Sequence, residues 1–140
     1  GNIGLITMFL ARLGPRQHLF QYANAGNWPA YILDSRGEQV HELRTNGLPI
    51  GITAQLELAP AEPIRLQPGS LVLFLTDGIP EAEDEAGQPF GIARLLDLVR
   101  GLAAQPAAEI IQQVRAEVQR YTGTIEQTDD QTIVICKRDV

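Results

Sequence analysis

Leu71-Val72-Leu73-Phe74-Leu75 is apolar at every position, and Thr76-Asp77-Gly78 follows it directly. A strand apolar on both phases is held inside a sheet, which puts the Asp77 carboxylate at the strand mouth. A second apolar run, Ile133-Val134-Ile135-Cys136, is preceded by Thr128-Asp129-Asp130-Gln131-Thr132. Two such strands lying side by side would bring both acidic mouths to one place. A carboxylate there is poor packing material but a good oxygen ligand for a hard divalent cation.

The rest of the first half supplies the sheet these strands need. Leu5, Thr7, Phe9, Ala11 and Leu13 alternate with Ile6, Met8, Leu10 and Arg12, and both sets are largely apolar, which predicts a strand buried on both faces at one end. Gly14-Pro15-Arg16-Gln17 turns it into a second strand over His18 to Ala25. Gly26-Asn27-Trp28-Pro29 breaks that strand, with Asn27 suited to a left-handed turn position and Trp28 partly covering the core or an interface. Ala30 to Leu33 and Gln39 to Leu43 form a hairpin about Asp34-Ser35-Arg36-Gly37. Asn46-Gly47-Leu48-Pro49-Ile50-Gly51 is a loop, and Gln55 to Leu58 and Pro63 to Leu66 read as short strands. His18 and His41 fall on the polar phase of their strands and belong on the surface.

After Gly78 the pattern changes. A loop with helical fragments runs to Phe90, and then Ile92, Leu95, Leu96, Val99 and Leu102 fall at helical spacing. Pro106 opens a second helix whose stripe of Ile110, Ile111, Val114, Val118 and Tyr121 packs on a sheet. Strands in a meander, two adjacent helices and a returning strand give an α+β layered domain.

With 140 residues there is enough chain for one domain with a hydrophobic core. The net charge of −6 is concentrated in Asp77, Glu81, Glu83, Asp84 and Glu85, which suits cations or a basic protein surface. No basic stripe offers itself to a nucleic acid, and no apolar run reaches the roughly 20 residues of a membrane span. The single cysteine, Cys136, excludes an internal disulfide, fits a reducing cytoplasm and reads as a small core residue. Gly1-Asn2-Ile3-Gly4-Leu5-Ile6 has no basic lead and no Met, so it reads as a chain entered partway rather than a signal peptide.

Taken singly, Asp77-Gly78 is a plain strand-end turn and Asp129-Asp130 an Asx-type turn. Together they point to chemistry. Two crowded carboxylates repel unless a proton or a cation relieves them. The chain has no cluster of His and Cys with zinc spacing, so all-oxygen ligation favours Mg²⁺ or Mn²⁺. Hydrolysis by a metal-activated water requires no protein nucleophile, and no Ser-His-Asp or Cys-His arrangement is visible.

Several ordered segments resemble the PPM (protein phosphatase type 2C-like) superfamily, in the branch of bacterial serine phosphatases that act in sporulation and stress sigma-factor control. They are Thr7-Met8-Phe9-Leu10-Ala11-Arg12-Leu13, Tyr22-Ala23-Asn24-Ala25-Gly26, Gly47-Leu48-Pro49-Ile50-Gly51, the run from Leu66 to Ala82, Phe90-Gly91, and Asp129-Asp130-Gln131-Thr132-Ile133. The resemblance implies an antiparallel β-sandwich with flanking helices, residues 1–140 forming part of one phosphatase domain. It implies that Asp77 and Asp129 ligate Mn²⁺ or Mg²⁺, two ions per complete site, with Asp130 where relatives carry Asp or Asn. Thr76, Gly78 and Thr132 would order the strand ends, and Glu81 opens a flap that grips the substrate. That substrate would be a phosphoprotein, often an anti-anti-sigma factor in this family.

Two departures qualify the resemblance. An Asp-Val-Ser-Gly-His-Gly-type motif, source of the metal-bridging aspartate, is absent, and Asn27 stands where relatives have His. The chain alone is therefore expected to show little or no phosphatase activity. The alternative is a non-catalytic phosphatase-like module for binding or oligomerisation. An Asp-Gly strand-turn encoded upstream of Gly1 would favour the enzyme. Missing early strands would leave a free sheet edge, which predicts a homodimer, with strand exchange as one form of it.

Overall fold

A computed structural model describes residues 4–56 and 58–139 of the chain. Strands β1 (Met8–Gly14), β2 (Leu19–Ala25) and β5 (Ile64–Arg65) form one antiparallel sheet in the order β1-β2-β5. Strands β3 (Ala30–Leu33), β4 (Val40–Leu43), β6 (Leu71–Leu75) and β7 (Ile133–Lys137) form a second, in the order β4-β3-β6-β7. Helices α1 (Ile92–Gly101) and α2 (Ala107–Thr122) lie between β6 and β7 in sequence.

The second sheet is the middle layer, which explains why its strands are apolar on both phases. Leu71, Leu73 and Leu75 pack with Tyr31 and Leu33 against Leu95, Val99, Ile110, Val114 and Val118 of the helices. The other phase, Val72 and Phe74, packs with Ile32 and Leu43 against Phe20 and Tyr22 of the first sheet. Leu71, Val72 and Leu73 are fully buried, each contributing about 1.5–3 kcal/mol through apolar burial. The result is the antiparallel sandwich with flanking helices that the motifs imply. Both helices turn a narrow stripe inward, Leu95 and Val99 in α1, and Ile110, Val114 and Val118 in α2. Gly123, with φ of 59° and ψ of −114°, lets the chain leave α2 through a positive-φ conformation that glycine accepts most readily. Pro106 stands just before the first helical residue.

Four expectations need correction. The first strand is not buried on both faces: Leu5, Ile6, Leu10 and Leu13 are exposed, and Leu10 lies on the phase opposite Phe9, away from the inter-sheet core. The middle sheet does not extend over it, so Phe9 alone of its side chains reaches the inter-sheet core. Gln55 to Leu58 forms no strand among its described residues, and position 57 lies outside them. Leu58 makes only an isolated bridge to Gly47, and the Asn46 side chain takes up the Ala59 carbonyl. Asn27 is not left-handed, because Gly26 takes the positive φ of 70° and the Asn27 amide is bonded to Asn24 Oδ1. His18 belongs to the turn rather than to β2, with φ of 53°, and is half-buried, while His41 is exposed.

Candidate metal and substrate site

The antiparallel register sets Leu75 opposite Ile133, so the segments that carry Asp77 and Asp129 leave from the same end of the middle sheet. Hydrogen bonds prolong the ladder past both strands. The Thr76 amide donates to Thr132 O at 3.1 Å, and the Thr132 amide donates to Thr76 Oγ1 at 3.0 Å. The same Thr76 hydroxyl donates to the Asp130 carbonyl at 3.1 Å, so one side chain clasps both segments. Beside it Gly78 lies so close to the Asp130 carbonyl oxygen that a Cβ would overlap it. The chain therefore needs glycine here for close approach of two backbones.

Asp77, Asp129, Asp130 and Thr132 are exposed at this junction, and Thr76 is half-buried. Asp129 Oδ1 accepts the amide of the next residue, Asp130, at 2.7 Å rather than that of Gln131, which an Asx turn would engage, and the Asp129 carbonyl accepts Gln127 Nε2 at 2.7 Å. Among the described residues, no group of three or more His, Cys, Asp or Glu is placed to hold a metal ion. The donors thus fit a hard divalent cation in kind but supply only part of a coordination shell. A cleft of about 910 Å³ opens alongside, with Gly78, Asp129 and Thr132 on one side, Arg115 and Gln119 of α2 on another, and Glu83 at its rim.

Residues 78–90 form a compact flap that starts at this junction. The Glu81 amide donates to Asp77 O at 2.9 Å, and Glu81 itself is exposed. Phe90 N–H reaches Ala82 O at 2.7 Å, and Glu83 bridges Pro89. At the tip Asp84 Oδ1 accepts the amides of Ala86 and Gln88, both at 2.9 Å. The Gln88 amide first, then that of Ala86, holds the Asp84 carboxyl below the usual carboxylate range, with Arg94 adding to the effect.

Sequence reasoning missed the role of Asn24, which is fully buried. Its carbonyl accepts the amides of Asn46 and Gly47 and the Thr45 hydroxyl, its amide donates to Asn46 Oδ1 at 2.6 Å, and its Oδ1 accepts the Asn27 amide. One residue thereby fastens the 45–51 loop to β2. The available signal was a polar residue on the inward phase of an otherwise apolar strand.

Comparison with known proteins agrees with this architecture. The sequence profile described as Stage II sporulation protein E (SpoIIE) matches residues 2–139. The chain belongs to the SpoIIE family. It is 25% identical over 137 residues to the phosphoserine phosphatase RsbU of Bacillus subtilis, an alignment covering 96% of this chain and 39% of RsbU. Its fold superposes with a TM-score of 0.82 on the SiaA-PP2C domain of Pseudomonas aeruginosa, at 29% identity over 95% of this chain and 52% of that one. The RsbU and RsbW domains of Rv1364c from Mycobacterium tuberculosis give a TM-score of 0.76 at 25% identity, over 94% of this chain and 36% of theirs. The chain thus spans about two fifths of RsbU and half of the SiaA domain. The fold class is that of PP2C-like phosphatases. No helix among the described residues is long and apolar enough to cross a membrane.

Proposed function

We propose that this chain, residues 1–140, is part of one PP2C-like domain that hydrolyses phosphoserine or phosphothreonine on a regulatory protein. Asp77 and Asp129 give carboxylate oxygens to a Mn²⁺ or Mg²⁺ centre, with Asp130 as a further candidate. The observation that carries this reading is the Thr76 clasp with the Gly78 contact, which holds the two acidic segments together. When bound, such a cation polarises the phosphoryl group and lowers the pKa of water. Thr76, Gly78 and Thr132 keep the carboxylate-bearing backbones in register, and Glu81 lies where the flap meets a protein substrate. The name phosphoserine phosphatase, carried by RsbU, supports the reaction class. The resemblance of the motifs extends the reading to cytoplasmic sigma-factor and stress signalling, with an anti-anti-sigma factor as substrate. The edge of β1 that has no partner strand among the described residues supports self-association.

Titration of Mn²⁺ into wild type and Asp77→Asn by calorimetry tests the assignment. Weaker binding by the variant is expected, and equal affinity removes Asp77 from the metal centre. Because the carboxylates form only part of a shell, this chain alone turns over p-nitrophenyl phosphate poorly or not at all with Mn²⁺. Ready turnover would refute that expectation. The same incomplete set favours, as a second reading, a non-catalytic module that docks a regulator. Absence of any Mn²⁺-dependent phosphatase activity in the full-length protein that carries this chain would select it.

A further inference from the structure

The flap is not held only by its own hydrogen bonds. Tyr121, in the last turn of α2, donates its hydroxyl toward the carbonyls of Gln88 at 3.1 Å and Pro89 at 3.3 Å. Its ring meets Phe90 edge to face, with centroids 5.3 Å apart and planes at 73°. The Arg94 guanidinium of α1 lies 4.2 Å from the Tyr121 centroid and 5.4 Å from that of Phe90. A cation on an aromatic face attracts it without a strong orientation preference, so the hydroxyl and the edge-to-face contact carry the directionality here. Two residues past α2's end, Thr124 donates its hydroxyl toward Glu85 Oε1 at 3.4 Å. The α2 terminus thus touches the flap at its tip and at its return, while Gly78 fixes the flap's start against Asp130.

We infer that Tyr121 is a positioning residue for protein-substrate recognition: with Arg94 stacked on it, it fixes the 78–90 flap to the end of α2 and so sets where Glu81, Glu83 and Glu85 stand beside the carboxylate junction. The chain that leaves α2 at Gly123 runs on to Asp129, so one rigid helix end governs both the flap and the acidic segment. A small aryl phosphate needs only the junction, whereas a folded phosphoprotein also has to fit the flap. The inference rests on the phosphatase reading for its consequence, but not for its structural content.

The test has two arms. In the 140-residue chain, hydrogen exchange compares wild type with Tyr121→Phe, which deletes the hydroxyl and keeps the ring. Loss of one hydrogen bond is expected to speed exchange at the Ala86 and Gln88 amides about fivefold, with Val114 and Val118 unchanged. Flap amides that exchange as in wild type would overturn the inference. In the full-length protein, Tyr121→Phe is expected to raise KM for the phosphoprotein about threefold more than KM for p-nitrophenyl phosphate. Equal changes for both substrates would overturn the recognition role. If the wild-type protein hydrolyses neither substrate, the phosphatase reading fails, and the recognition role fails with it, while the exchange arm still decides the clamp.

Discussion

Gly78 lies against the carbonyl oxygen of Asp130, closer than any side chain would allow. The two residues are far apart in sequence, and the pairing of Leu75 with Ile133 brings them together at one end of the middle sheet. Gly78→Ala should therefore push the two segments apart. Overpacking against backbone costs about 1–3 kcal/mol, to be read from chemical denaturation. A variant as stable as wild type would show that the contact is easily relieved.

Thr76 is the second link between these segments. Thr76→Val keeps the shape but leaves the Asp130 carbonyl and the Thr132 amide without the hydroxyl they share. A loss of about 1 kcal/mol is expected, and Thr76→Ser should retain most of the wild-type stability. A Val variant as stable as wild type beside a destabilised Ser variant would mean that the methyl group, not the hydroxyl, makes the link.

Asn24 is fully buried and its side chain holds the Asn27 amide at 2.8 Å. Asn24→Leu should cost about 2–3 kcal/mol, since it leaves the half-buried Asn27 amide without its acceptor and adds a branched side chain in a packed layer. Thermal melting in parallel with Asn46→Ala checks it. A destabilisation by Asn24→Leu no larger than that of an exposed-surface change would remove Asn24 from its place as the hub.

Burial raises the Tyr31 phenol above its ordinary pKa of 10.0, and Glu42 adds to the shift. The neutral phenol is thus favoured in the folded chain. Its stabilising contribution is complete below about pH 10 and is lost as the pH rises through the higher folded value. Denaturation midpoints should fall above about pH 10 in wild type and fall less in Tyr31→Phe. Identical alkaline profiles would rule out Tyr31 as the source.

Among the described residues one edge of strand β1 has no partner strand, and Leu10 and Leu13 on that strand are 58% and 45% exposed. Such edges pair with other copies unless charge, proline or a bulge blunts them. Light scattering of this chain at high concentration should give a dimer mass, reduced to monomer by Leu10→Lys. A monomeric wild type at high concentration would count against pairing through this edge.

Much of the fold was legible because its signals are local. The hairpin turns at 14–17 and 34–37, the stripes of α1 and α2, and the doubly apolar β6 each follow from neighbouring residues. The misreadings have separate causes. Leu10 and Leu13 have the pattern of buried residues, but Leu10 lies on the phase opposite Phe9, away from the inter-sheet core, and the second sheet does not cover Leu13. Asn27 looks like a left-handed turn residue, yet Gly26 beside it absorbs the positive φ at lower steric cost.

The sequence by itself determined the strands, the helices and the acidic residues at the ends of β6 and β7, since side-chain periodicity and turn chemistry act over a few neighbouring positions. Tertiary structure alone decided that Gly78 abuts Asp130, that Thr76 clasps both segments, and that Tyr121 reaches back to the flap. Those contacts depend on strand register and helix placement, which arise only when distant apolar faces pack into common cores.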